Sequence, residues 1–180
     1  MSYKPKIYLA GPEVFLPNVI EHAETQRALC RRYDFDPLHP MDNNIDPAGV
    51  SFETALRIYE GDVSQVRDCD IIVANCNAFR GACVDDGTAV ELGMAFALGK
   101  VAYGYMSTMG SLAERTRQMY PCRRVAGIWI DREGYVVIDD RGTSINLMLQ
   151  CGLIRSGGAL IAGDFEACLK RVRHDFDKKA

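Results

Sequence analysis

Apolar residues recur along the chain in short unbroken runs separated by stretches of helical spacing. That alternation is expected of strands covered on both faces of a parallel sheet and of the helices that cover them. The first run, Ile7-Tyr8-Leu9-Ala10, ends at Gly11-Pro12 and predicts a strand over residues 6–10 that opens into a loop. Val19, Ile20, Ala23 and Leu29 then predict a helix within residues 17–33. Pro37 restricts residues 35–38 to a short strand, and 39–47 read as a long polar loop of the kind that is functional or mobile in a compact domain.

A helix follows from Ser51 to about Asp68, with Ala55, Ile58, Val63 and Val66 on one side. Residues 70–75, Asp-Ile-Ile-Val-Ala-Asn, form the clearest strand. After a loop from Cys76 to Gly87 the pattern predicts a helix over 88–98, closed by Gly99, and a strand over 101–105. A helix at 111–120 and a strand at 127–130 complete five repeats. An edge strand at 135–138 and helices at 145–150 and 165–176 finish the chain. The order predicts an α/β fold: a doubly wound five-stranded parallel sheet, a flavodoxin- or Rossmann-like three-layer sandwich, filling one domain over residues 1–180. The ligand site is expected at the carboxyl ends of the strands, in the loops after Ala10, Leu38, Asn75 and Tyr105.

Composition narrows the function. With 21 basic and 24 acidic residues the net charge is −3, and no dense basic stripe tracks a phosphate backbone, so polymeric nucleic acid is not an expected partner. The seven cysteines include no C-x-x-C pair and no secretory leader is evident, which predicts a reducing, cytoplasmic setting; Cys76 and Cys83, seven apart with no His nearby, read as buried inert thiols and not as a metal site. No apolar run approaches the length of a membrane span.

The common nucleotide and hydrolase motifs are missing. No G-x-G-x-x-G follows the first strand, residues 93–100 are one residue too long for a Walker loop, and neither G-x-S-x-G nor H-E-x-x-H occurs. Of three scattered histidines only His39, in a proline-flanked loop, has a claim on a site, and a structural role fits it better.

What remains is acidic: Asp85, Asp86 and Glu91 beside the third strand, with Asp62 on the helix before it. Such a cluster suits glycosyl transfer, in which one carboxylate attacks the sugar carbon and another carboxyl group manages the leaving group's proton. Placed in the first turn of its helix, Glu91 would be kept ionised by the helix dipole and free N–H groups. The same spacing, Thr88 to Glu91, also makes a capping box in which Glu91 only bonds back to the Thr88 amide. Asp62 and Asp85 have plain readings too, as an exposed helix carboxylate and a turn former; Tyr8 reads as a core aromatic and Asn146 as a helix cap.

Taken together, these segments resemble the nucleoside 2-deoxyribosyltransferase family. The resemblance rests on Ile7-Tyr8-Leu9-Ala10-Gly11-Pro12, on Asp62 ahead of Asp70-Ile-Ile-Val-Ala, on Arg80-Gly81, on Asp85-Asp86-Gly87-Thr88-Ala89-Val90-Glu91-Leu92-Gly93, and on Ile145-Asn146-Leu147-Met148. It implies exchange of the base of a 2′-deoxyribonucleoside with a free purine or pyrimidine base, in nucleoside salvage, without a cofactor. Glu91 would be the nucleophile that forms a covalent deoxyribosyl ester, Asp62 and Asp85 the carboxylates that hold the base and manage its proton, and Tyr8 the group that orients the nucleophile. Phe15, Asn43 with its neighbours Asp42 and Asn44, Gly87 and Met148 would contact substrate. Asn146 would serve the site of a neighbouring subunit, making the protein a homo-oligomer with shared sites.

Two rivals remain. A hydrolase of the same fold would remove bases from 2′-deoxynucleoside 5′-monophosphates, with Arg80 and Ser107-Thr108 as phosphate donors, although Arg80 is as readily explained by pairing with Asp85 or Asp86. A noncatalytic nucleotide-binding module is the other.

Overall fold

A computed structural model describes residues 3–43, 50–137 and 141–178. Five strands, β1 (Lys6–Ala10), β2 (Asp36–Leu38), β3 (Ile71–Asn75), β4 (Val101–Met106) and β7 (Leu160–Ala162), form one wholly parallel sheet in the order β2-β1-β3-β4-β7. Helices α1 (Val19–Arg32) and α6 (Phe165–Asp177) cover one face, and α2 (Phe52–Asp68), α3 (Asp86–Ala97) and α5 (Leu147–Arg155) cover the other. Helix α4 (Leu112–Met119) follows β4, and β5 (Cys122–Val125) pairs with β6 (Ile128–Asp131) in a separate ribbon.

Side-chain alternation on the strands builds two cores. On β1, Ile7 and Leu9 point toward α1 and α6 with Val73, Leu169 and Val172, while Tyr8 and Ala10 point toward α2 and α3 with Val66, Leu92 and Ala95. The doubly wound architecture is therefore the expected one. Its order turns back between β1 and β3, and the crevice at their carboxyl ends is where such sheets bind ligands.

The fifth parallel strand is not the predicted one. Residues 127–130 belong to an antiparallel hairpin, because Ala126 and Gly127 both have positive φ, 49° and 86°, and form a two-residue turn that can only reverse the chain. The sheet is completed by Leu160–Ala162, three residues between Gly158 and Gly163, too short to register as an apolar run. At the predicted edge strand the described residues make one isolated bridge, Ile130 to Val136, and residue 138 lies outside the described residues.

Helix α3 also begins earlier than expected. Asp85 is its N-cap, accepting from the Thr88 amide at 2.9 Å and from the Thr88 hydroxyl at 3.0 Å. Glu91 thus falls in the second turn, beyond the free N–H groups, and is not the partner of a Thr88 capping box.

Candidate active site

At the β1–β3 crevice lies a cavity of about 400 Å³, a size suited to a nucleoside-sized molecule. Its walls come from the loop after β1 (Gly11, Val14, Phe15), the turn after β2 (Pro40, Met41, Asn43), helix α2 (Ile58, Asp62) and the start of α3 (Asp85, Asp86, Gly87, Thr88, Glu91). The loop after β4 does not reach it; residues 107–111 line a neighbouring cavity instead.

Tyr8, fully buried on β1, donates its hydroxyl to Glu91 Oε1 at 2.5 Å. Burial, together with the charges of Asp62 and Asp85, raises the Glu91 carboxyl to about pKa 8 against the opposing pull of the Tyr8 hydrogen bond. The helix dipole does not hold Glu91 ionised, because its position in the second turn and its burial outweigh any terminal field. Burial and the Glu91 charge push the Tyr8 phenol far above its ordinary value, so it remains a donor.

Asp62 is raised to about 6, chiefly by burial and partly offset by a 2.8 Å bond from Asn43 Nδ2. Asn43 in turn accepts from Gln65 Nε2 at 2.6 Å, and Gly61 admits it: a Cβ there would lie 2.4 Å from the Asn43 side chain. The short 3-10 turn Pro40–Asn43 that carries Asn43 is held by His39, whose Nδ1 accepts from the Met41 amide at 3.1 Å. His39 is 2 % exposed and burial lowers it to about 4, so it is neutral near pH 7 and structural.

Sequence reasoning missed Glu13. Its Oε1 accepts from Asn75 Nδ2 and from the Tyr105 hydroxyl, each at 2.7 Å, which ties the 3-10 turn Pro12–Phe15 across the ends of β3 and β4. Gly11 leaves the room: a Cβ there would lie 2.0 Å from Glu13 Oε2. An acidic residue just after a strand-ending Gly-Pro was the available signal.

Of the predicted residues, Glu91, Asp62, Asp85, Phe15, Asn43 and Gly87 line one cavity, and Tyr8 reaches it through Glu91. Asn146 and Met148 do not line it. Asn146 is exposed and caps α5 by accepting from the Met148 amide at 2.9 Å, and Met148 is 73 % exposed. Asn44 lies outside the described residues. Arg80 pairs with neither Asp85 nor Asp86; its guanidinium lies over the rings of Phe15 and Phe79. Among the described residues no group of three His, Cys, Asp or Glu side chains is arranged to hold a metal ion, and no helix is long and apolar enough to cross a membrane. All seven cysteines are free; Cys76, next to the end of β3, is buried as expected, but Cys83, on the loop after β3, is exposed.

A carboxylate-lined cavity at the switch point of a parallel sheet, with a phenol fastened to one of its carboxyl groups, is an arrangement that suits glycosidic-bond chemistry. Residues 7–148 match the model of the nucleoside 2-deoxyribosyltransferase family, and the chain belongs to that family. It is 30% identical over 175 residues to an uncharacterized protein of Schizosaccharomyces pombe, covering 89% of this chain and 82% of that one. Among solved structures, a 2-desoxiribosyltransferase from Leishmania mexicana is 32% identical with a TM-score of 0.70, over 94% of this chain and 97% of that one. A conserved protein from Enterococcus faecalis shares the fold, at 19% identity and a TM-score of 0.62, over 99% of this chain and 100% of that one.

Proposed function

We propose that the protein transfers the 2-deoxyribosyl group of a 2′-deoxyribonucleoside from one nucleobase to another, through an ester on Glu91, in nucleoside salvage. The observation that carries this reading is the Tyr8–Glu91 bond at the floor of the cavity: the carboxyl group caps no helix and faces the space a ligand would fill.

In the first half-reaction a Glu91 oxygen bonds to C1′ as the C1′–N bond breaks, and the bond's electron pair leaves with the base. Asp62 or Asp85 supplies the proton that the departing base takes up. In the second, a nitrogen of the incoming base attacks C1′ and yields its proton to that aspartate, the ester bond breaks, and the Glu91 carboxylate is restored. Two inversions give net retention. The Tyr8 hydroxyl fixes one Glu91 oxygen, leaving the other to react. Asp85 spends one oxygen on its cap, so its free oxygen is the one available to a base. Asn146 and Met148, exposed and off the cavity, fit residues that complete the site of a second copy.

Incubation with deoxyinosine and adenine tests the reading. Deoxyadenosine and hypoxanthine are the expected products; free deoxyribose without deoxyadenosine would assign hydrolysis instead, and ligand binding without turnover would assign a binding module.

A further inference from the structure

Phe15 is the aromatic wall of the cavity, yet it sits at the end of a four-residue 3-10 turn and is 56% exposed. Glu13 pins the start of that turn through Asn75 and Tyr105. The ring is held from behind. Phe79 stacks on it with centroids 5.4 Å apart and planes 12° from parallel, and the Arg80 guanidinium lies 4.9 Å from the Phe15 centroid and 4.7 Å from that of Phe79.

The loop that delivers this brace is itself fixed. The Phe79 amide donates to the Cys83 carbonyl at 3.0 Å, and Arg115 Nε donates to the Ala82 carbonyl at 3.1 Å. Arg80 has φ of 49°, a left-handed conformation uncommon for a residue with a Cβ. Among the described residues no carboxylate pairs with it. Strained backbone and an unpaired cation are both committed to the back of one ring.

We propose that Phe79 and Arg80 are positioning residues that set the plane of Phe15 against a flat, π-rich ligand, the nucleobase, and so govern base affinity. This inference rests on the transferase reading for the identity of the ligand. Neither residue lines the carboxylate cavity, so the bond-making steps do not depend on them.

The test compares wild type with Arg80→Gly, Phe79→Ala and Phe79→Tyr. Arg80→Gly removes the guanidinium and relieves the left-handed strain, so the fold is kept. Adenine binding by calorimetry and adenine KM in exchange should each weaken about 3- to 10-fold in Arg80→Gly and Phe79→Ala, with kcat within about twofold and wild-type affinity restored in Phe79→Tyr. Unchanged adenine affinity in both truncations overturns the proposal, as does a fall in kcat that matches the rise in KM. A wild type that binds adenine and exchanges nothing overturns the transfer reading alone; one that binds no base overturns both.

Discussion

Two tyrosines of the parallel sheet donate to glutamates, Tyr8 to Glu91 and Tyr105 to Glu13, and they separate two uses of the same contact. Glu13 receives two donors on one oxygen, from Tyr105 and Asn75, and ties three strand ends and a turn together. Among the described residues Glu91 receives one donor, Tyr8, and it lines a cavity together with Asp62 and Asp85. A carboxylate bound by two donors of the sheet serves the fold. One that is desolvated, held by a single phenol and set in a cavity wall can present its second oxygen to a ligand, and its raised pKa marks the free energy stored in its burial.

The comparison is broken most decisively by removing each acid in turn. Glu91→Gln should stay folded and lose base exchange by at least about 10³-fold. Glu13→Gln should retain most activity, whereas Glu13→Ala, which strands the buried Tyr105 hydroxyl, should cost about 1–3 kcal/mol in urea unfolding. If both acids behave alike in the exchange assay, the distinction fails.

Next in size is the phenol. Tyr8→Phe should lower kcat by about 10- to 100-fold, since Glu91 loses its one donor among the described residues, while Tyr105→Phe should leave kcat near wild type and lower stability by about 1 kcal/mol.

The titration of Glu91 sharpens the contrast. As the nucleophile must be ionised while an Asp62 donor must hold its proton, kcat/KM should follow a bell with limbs near 6 and 8. Asp62→Asn removes both that donor and the charge beside Glu91, so the bell should give way to a single rise with its midpoint below 8, whatever happens to the rate itself. The smallest effect is on stability. From about pH 4.5 to 8 the folded protein binds more protons at Glu91 than the unfolded chain does, so this group destabilises the fold progressively as pH rises across that window. Glu91→Gln should therefore melt above wild type at pH 8, by about 3 °C or more, with the difference vanishing near pH 4. An equal offset at both pH values would show that burial of the charge is not its cause.

Much of the fold was legible because strands buried on both faces leave uninterrupted apolar runs, as in residues 70–75. The exceptions were local. Leu160–Ala162 is too short to stand out, and the Ala126-Gly127 turn reverses a segment whose apolar content alone fitted a parallel strand. At the site, chain order brought Glu91, Asp62, Asp85, Phe15, Asn43 and Gly87 to one cavity because doubly wound sheets gather their loops at one end. Spacing alone fitted a Thr88–Glu91 capping box; the helix instead starts three residues earlier, with Asp85 accepting from the Thr88 amide and hydroxyl. The Glu13 and Phe79–Arg80 contacts join residues distant in sequence and carry no periodicity. Asn146 and Met148 lie on a surface that the chain does not turn toward its own cavity, which no pattern in the sequence announced.

The central claim is that Glu91 becomes covalently esterified, and intact-protein mass spectrometry after acid quench with deoxyinosine alone tests it most directly. The account predicts a deoxyribosyl adduct that maps to the peptide containing Glu91, disappears when adenine is added before the quench, and is absent in Glu91→Gln. Rapid base exchange with no adduct on that peptide, or with an adduct on another carboxylate, would contradict it.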